Sequence, residues 1–267
     1  MISHYIEARR DLKRKLQNRE KVFGAWISFG HPSIADIFAR SGVDFVAIDM
    51  EHSTINQAEA QRIIAACQEQ RVPCLPRPVS HGNEMIKPLL DSGADGMIIP
   101  MVGTSEELNR VAALCKFPTQ GKRSFGLSRG QGYGFDFDEY VKTWNETSPF
   151  IIQIESKEGV DNIETLAAHQ DVDGVMIGPY DLSGSLGVPG QINHPLVTEA
   201  ASKVIKACAQ YGKSCGTQLV SVDQQSIEQA FASGYTFVIL SSDLFLLWKW
   251  GEQTRKLIAE LKPPSPL

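Results

Sequence analysis

The chain reads as an α/β protein that closes into a (β/α)8 TIM barrel, and three observations carry that reading. Short β-branched or aromatic runs alternate with longer stretches of helical spacing along the sequence. There are eight such runs, and they are nearly continuous in apolar residues, which suits parallel strands covered on both faces. The 267 residues accommodate eight β/α units in one domain, since such barrels typically use roughly 250 residues. An open doubly wound sheet is the rival arrangement, but no GxGxxG follows the first strand.

An N-terminal helix is expected first, then a strand over Val22–Ile27 and a helix over Ser33–Ser41. Phe45–Ile48 leads into Gln57–Gln70, Cys74–Leu75 into Met85–Ser92, and Met97–Ile99 into Ser105–Cys115. The glycine-dense stretch from Ser128 to Phe137 reads as a long loop rather than a linker. Phe150–Ile154 precedes helical spacing over Lys157–His169, and Gly174–Ile177 precedes a Gly-Pro turn and a helix over Pro195–Tyr211. Ser214–Thr217 leads into Gln224–Ser233, and Phe237–Leu240 into the last helix. Gly42, Gly93, Gly212 and Gly234 stand just before strands, where glycine suits a helix C-cap. The tail Lys262-Pro263-Pro264-Ser265-Pro266 ends that last helix. The expected organisation is one barrel domain over residues 1–267, with an N-terminal helix and a short Pro-rich tail.

Composition narrows the partners. Twenty-six basic and thirty-one acidic residues leave a formal charge of −5, and no Lys/Arg stripe is present to displace counterions from nucleic acid. Anionic membrane surfaces are disfavoured for the same reason. Five cysteines without CxxC pairing suit a reduced, cytoplasmic setting. The N-terminus lacks the apolar core of a signal peptide, and no run reaches the roughly 18 apolar residues of a membrane span.

In a barrel, active-site residues gather just after the strands, at their C-terminal ends. The second strand ends VAIDMEHS, placing Asp49, Glu51 and His52 there; the third ends PCLPRP, delivering Arg77. The fifth ends IIQIES, with Gln153 and Glu155, and the sixth gives MIGPYDLS, with Gly178, Pro179, Tyr180, Asp181 and Ser183. Each has a plainer explanation when taken alone: an aspartate caps helices, a loop histidine is often solvated, and an arginine makes structural ion pairs. Glu155 is harder to dismiss, because it follows the buried run Phe150–Ile154, where an unpaired carboxylate is costly. A divalent cation relieves that cost, and two carboxylates plus waters suit Mg²⁺ or Mn²⁺. Neither HExxH nor a Cys/His set is present, which argues against structural zinc. A hard ion beside one histidine and one arginine points to an oxygen-rich anion and enolate stabilisation. No lysine ends a strand, so a Schiff-base aldolase is disfavoured.

These segments resemble the HpcH/HpaI aldolase family, the class II pyruvate aldolases. The likeness rests on DFVAIDMEHS, PRP, IIQIESKEGVDNI and DGVMIGPYDLSGSLGVPGQINHP, and extends from about Gly24 to about Phe245 through LLDSGADGMIIPMV and GKRSFG. The resemblance implies a phosphoenolpyruvate/pyruvate-type barrel, its last helix exchanged between subunits of a hexamer, a trimer of dimers. It implies reversible cleavage of a 4-hydroxy-2-oxo acid to pyruvate, or a close 2-oxo acid, and an aldehyde. Glu155 and Asp181 would bind the divalent metal (Mg²⁺, Mn²⁺ or Co²⁺), and His52 would act as base. Arg77 would stabilise the enolate, and Asp91, in LLDSG, would orient the histidine. Gln153 would contact substrate, and amides after Gly178 and Pro179, around Tyr180 and Asp181, would receive its carboxylate. Two departures stand out: Tyr180 replaces a smaller residue or Asn in the GPxD turn, and Ser124 replaces a glycine beside Arg123.

Other readings compete. The same enolate chemistry serves a lyase or decarboxylase acting on oxaloacetate-like acids. A non-catalytic barrel that binds a 2-oxo acid needs none of the set His52, Arg77, Gln153, Glu155 and Asp181. A phosphosugar isomerase would use Gly184–Gly190 as its phosphate loop, a segment that reads better as a turn.

Overall fold

The computed structural model describes residues 2–262; the Pro-rich tail beyond Lys262 lies outside them. In chain order the elements are α1 (Ile2–Gln17), β1 (Val22–Ile27), α2 (Pro32–Ala39), β2 (Phe45–Asp49), α3 (Gln57–Glu69), β3 (Cys74–Arg77), α4 (Asn83–Asp91), β4 (Met97–Ile99) and α5 (Ser105–Cys115). A 3-10 turn (Arg129–Gly134) follows, then α6 (Phe137–Thr147), β5 (Phe150–Ile154), α7 (Lys157–Asp161), α8 (Ile163–Ala167), β6 (Gly174–Ile177) and α9 (Pro179–Ser185). The chain continues through α10 (Pro195–Gln210), β7 (Ser214–Leu219), α11 (Gln224–Ala232), β8 (Phe237–Ser242) and α12 (Asp243–Leu261).

The eight strands run in the order β3-β2-β1-β8-β7-β6-β5-β4, and the paired strands are parallel. The sheet thus curls into a nearly closed barrel. At the seam between β3 and β4, Asp95 spans the gap. Its amide donates to the Cys74 carbonyl (2.9 Å) and its carboxylate accepts from the Cys74 amide (3.0 Å).

Alternation along the strands sorts the side chains. Val22, Trp26, Phe45, Ala47, Leu75, Ile98, Ile151, Met176, Phe237 and Ile239 form an inner cluster within the barrel, joined by Leu12 and Leu16 of α1. The intervening positions, such as Val46, Ile48, Ile152 and Ile154, pack outward against the helices, as a two-residue period requires. Two large rings share the inner layer because glycines face them. A Cβ at Gly24 would stand 2.5 Å from the Phe45 ring, and one at Gly216 2.2 Å from that of Phe237. At the end where the strands begin, α1 closes the barrel, and Lys13 makes a buried 2.6 Å ion pair with Asp173.

Helix ends follow local chemistry. Asn56 with Glu59, and Thr104 with Glu107, form capping boxes at α3 and α5. Gly42, Gly93, Gly212 and Gly234 all take positive φ, between 67° and 99°, as their places before strands suggested. Two expectations change. The helix over Lys157–His169 is divided, because Asn162 leaves helical geometry and its amide side chain donates to the Gly103 carbonyl (2.8 Å). The loop over Ser128 to Phe137 contains a 3-10 turn, interrupted where Gly132 and Tyr133 take positive φ. Among the described residues no helix is long and apolar enough to cross a membrane.

Candidate active site

Period-two alternation carries three strands' inward positions from the apolar core to the C-terminal rim as polar residues. Phe45 and Ala47 are continued by Asp49, Leu75 by Arg77, and Ile151 by Gln153 and Glu155. These side chains border a cavity of about 420 Å³ at the mouth of the barrel. His52, Gly178, Pro179, Tyr180 and Asp181 complete its polar rim, with Trp26 and Phe245 on the apolar side. Of the sequence-predicted residues, Asp91 lies elsewhere, Glu51 stands behind the lining against Arg77, and Ser183 is buried, its hydroxyl donating to the Tyr180 carbonyl.

Arg77 is the best-anchored group. Its Nη2 and Nε donate to Asp49 Oδ1 (2.8 and 3.3 Å), and Nη1 donates to Gln153 Oε1 (3.3 Å). Glu51 Oε2 lies 3.0 Å from Nη1 as an ion pair without hydrogen-bond geometry, and the guanidinium lies 4.7 Å over the Trp26 ring. Such a planar, permanently charged fork suits recognition of a carboxylate or an enolate oxygen. Burial pushes the Glu51 carboxyl up, opposed by the Arg77 charge.

Glu155 is 2 % exposed. Its Oε1 accepts from the Met101 amide (2.9 Å) and Oε2 from Gln153 Nε2 (3.1 Å). Burial pushes its carboxyl up to about 7, with repulsion from Glu51 and Asp181 adding to the effect. Asp181 stands in the first turn of α9, whose N-cap, Gly178, provides no capping side chain. Gly178 is needed for close approach: a Cβ there would lie 2.2 Å from Glu155 Oε2.

Carboxylates that line one cavity, with the charge of Asp181 opposing the ionisation of Glu155, fit a small, hard divalent cation. Mg²⁺-type ions use one or two protein carboxylates and keep other positions for water and substrate oxygens. Among the described residues no group of three or more His, Cys, Asp or Glu side chains is arranged to hold a metal. Of the carboxylates that line the cavity, Asp49 is engaged by Arg77, which leaves Glu155 and Asp181 as the candidates to hold such an ion.

His52 stands on the rim with its side chain 60 % exposed, and Nε2 lies 3.8 Å from Glu51 Oε2. Asp49 shapes the turn beneath it, accepting from the Glu51 and His52 amides (both 3.1 Å) as well as from Arg77. Asp91 ends α4 and accepts from Arg123 Nη2 (3.2 Å). Among the described residues no hydrogen bond or ion pair joins it to His52. Arg123, flagged because Ser124 follows it, is buried with its guanidinium 4.5 Å over both the Phe117 and Trp144 rings.

Several contributors were not singled out from sequence. Trp26 could have been found by continuing the inward positions Val22 and Gly24. Asp243 accepts from the Ser28 and Phe29 amides (2.8 and 2.9 Å), tying the β1–α2 loop to the start of α12; its place directly after β8 was the available signal. Met101 acts through a backbone amide at φ 51°, for which its side chain gives no clue.

Known proteins resemble this chain over most of its length. Residues 22–249 match the family model described as HpcH/HpaI aldolase/citrate lyase. The chain is 33% identical over 242 residues to a hydroxypyruvate/pyruvate aldolase of Roseobacter denitrificans, covering 90% of this chain and 93% of that one. It is 32% identical over 236 residues to a 2-keto-3-deoxy-L-rhamnonate aldolase of Salmonella typhi, covering 88% and 87%. The crystal structure of an HpcH/HpaI aldolase/citrate lyase family protein from Burkholderia cenocepacia superposes with a TM-score of 0.86. That pair is 30% identical, with 93% of this chain and 99% of that one covered.

Proposed function

Because the chain belongs to the HpcH/HpaI aldolase/citrate lyase family, we propose that it is a divalent-metal-dependent aldolase. It cleaves a 4-hydroxy-2-oxo acid reversibly into pyruvate, or a close 2-oxo acid, and an aldehyde. The observation that carries this reading is buried Glu155, which lines one cavity together with Asp181 and Arg77. The enzyme is a carbon–carbon lyase, and relatives named for pyruvate and 2-keto-3-deoxy acid aldol chemistry favour a pyruvate-yielding cleavage.

Glu155 and Asp181 would hold the cation. When bound, Mg²⁺, Mn²⁺ or Co²⁺ supplies Lewis-acid stabilisation of negative charge on the 2-oxo group. Arg77, fixed by Asp49 and Gln153, presents its remaining donor capacity to the oxygen on which that charge develops. His52, on the solvent side, takes the proton of the C4 hydroxyl. The C3–C4 bond breaks, its electron pair passes into the enolate, and the aldehyde leaves; a proton then returns to C3. The first-turn amides of α9, at Tyr180 and Asp181, receive the substrate carboxylate beside Gly178 and Pro179. Tyr180, 55 % exposed on the rim, narrows the approach for the aldehyde.

Residues 1–267 form one barrel domain in this reading, and the chain assembles as a hexamer, a trimer of dimers, with α12 exchanged between subunits. In support, Asp243 is the buried residue of the nineteen in α12, while Leu246, Leu247, Trp248 and Trp250 are exposed. Asp91 would then reach a histidine only across a subunit boundary. Five buried free thiols favour the reducing cytoplasm.

The test is a retro-aldol screen of 4-hydroxy-2-oxo acids and oxaloacetate with the purified protein, following pyruvate release with each metal. The expected result is metal-dependent release, abolished by EDTA, from at least one hydroxy-oxo acid. Release from oxaloacetate alone would overturn the aldolase assignment.

A further inference from the structure

The peptide joining Pro100 to Met101, in the loop after β4, is held at both ends. Its N–H, on Met101, donates to Glu155 Oε1 (2.9 Å), and its carbonyl, on Pro100, lies 2.6 Å from His81 Nε2. A carbonyl oxygen only accepts, so this ring nitrogen carries a hydrogen and donates. His81 belongs to the loop between β3 and α4, and its half-buried ring spans the seam between those two edge strands of the sheet, β3 and β4.

The orientation of that peptide is not one the chain adopts by default. Met101 has φ 51°, in the left-handed region that L side chains rarely occupy. Such a residue persists only where its surroundings over-determine it. Packing of its own side chain is a weak constraint, because Met101 is exposed. Beyond it, the Val102 amide donates to the Gln153 carbonyl (3.2 Å), and the Gly103 carbonyl accepts from Asn162 Nδ2 (2.8 Å). Those bonds fix the chain after Met101 without fixing the peptide before it. Proline has a fixed φ, so that peptide turns about Pro100 ψ and Met101 φ, restrained by His81 at one end and Glu155 at the other. A peptide that accepts at its carbonyl also donates more strongly at its N–H.

We infer that His81 is a positioning residue: through the Pro100–Met101 peptide it aims the amide that holds Glu155 in place to bind the divalent cation. Its role depends on the proposed one of Glu155 as a metal ligand. His81 does not line the mouth cavity, so it acts through Glu155 and not on substrate. Without the ring's donor the peptide turns, Met101 returns to negative φ, and Glu155 Oε1 loses its amide partner.

The test measures Mn²⁺ binding to the EDTA-treated protein by calorimetry, together with a metal-free crystal structure of each variant. His81→Leu should bind Mn²⁺ about 10- to 100-fold more weakly, as loss of a group that orients a metal ligand typically does, and should show the peptide turned. His81→Gln keeps an N–H donor and should bind within about threefold of the parent. His81→Ala serves with the same two readouts if His81→Leu does not fold. Glu155→Gln separates the two ideas. Unchanged affinity in that variant overturns the metal reading and this inference with it. Affinity lost in Glu155→Gln but kept in His81→Leu overturns the inference alone. An unturned peptide in His81→Leu, or equal weakening by the Leu and Gln variants, does the same.

Discussion

Replacing Gly178 with alanine isolates one contact on which the proposed metal site depends. The glycine has φ −97° and ψ 91°, a region open to alanine, so the substitution adds no large backbone strain. The new Cβ would meet Glu155 Oε2 at 2.2 Å and Cδ at 3.1 Å, and relief requires the carboxylate to move by about 1 Å, given ordinary carbon–oxygen contact distances. Glu155 then gives up its bond to Gln153 (3.1 Å) or to the Met101 amide (2.9 Å). Loss of one hydrogen bond to a charged group costs about 1.5–3 kcal/mol. That is roughly a 10- to 150-fold change in an equilibrium constant. Calorimetric titration of the metal-free protein with Mn²⁺ should show Gly178→Ala binding weakened by about that factor, with melting shifted by only a few degrees. Mn²⁺ affinity within twofold of the parent would refute the assignment of Glu155, in this geometry, as a metal ligand.

Three further outcomes follow from the same structure. Burial pushes the Asp95 carboxyl up to about 6 from an ordinary 3.8. The native state thus holds an extra proton between those values, and stability falls as pH rises through that window. The full effect is about 2–3 kcal/mol. Urea unfolding at pH 4 and pH 7 should show Asp95→Asn lacking most of that fall, and parallel pH curves for the two proteins would contradict it. Arg77→Lys keeps the charge but loses the fork that grips Asp49 and the stacking on Trp26. Steady-state kinetics should show kcat/KM reduced by about 10²-fold or more, and a change within threefold would remove Arg77 from the reaction. His52→Ala removes a largely exposed side chain; kcat should fall by about 10²–10⁴ while the melting temperature holds. A parallel loss of stability and activity would make His52 structural.

The barrel was legible because two periodicities repeat along the chain. Four strands, Val22–Ile27, Met97–Ile99, Phe150–Ile154 and Gly174–Ile177, have the limits their apolar runs predict. The others run one to two residues further, to Asp49, Arg77, Leu219 and Ser242, because the ladder continues into polar residues at the rim. Those extra residues include Asp49 and Arg77, so strand-end extension and site chemistry are the same feature. Glu155 was legible as a carboxylate after a buried run. Its partners were not, since the Met101 amide and the cradle at Gly178 arise from backbone paths that no side-chain pattern encodes. Asp91 shows a further limit. Its place at the end of a helix is readable, but its partner is set by how residues 116–128 return to lay Arg123 against α4.

The most direct test of the account compares pyruvate release by the EDTA-treated protein, before and after Mn²⁺ is restored, with that of the Glu155→Gln, Asp181→Asn double variant. Both substitutions preserve side-chain shape and remove only the charge that would hold the cation. The account predicts no release without metal, recovery of the parent on adding Mn²⁺, and no recovery in the variant. Parent-level release by the metal-free protein, or by the variant, would contradict it.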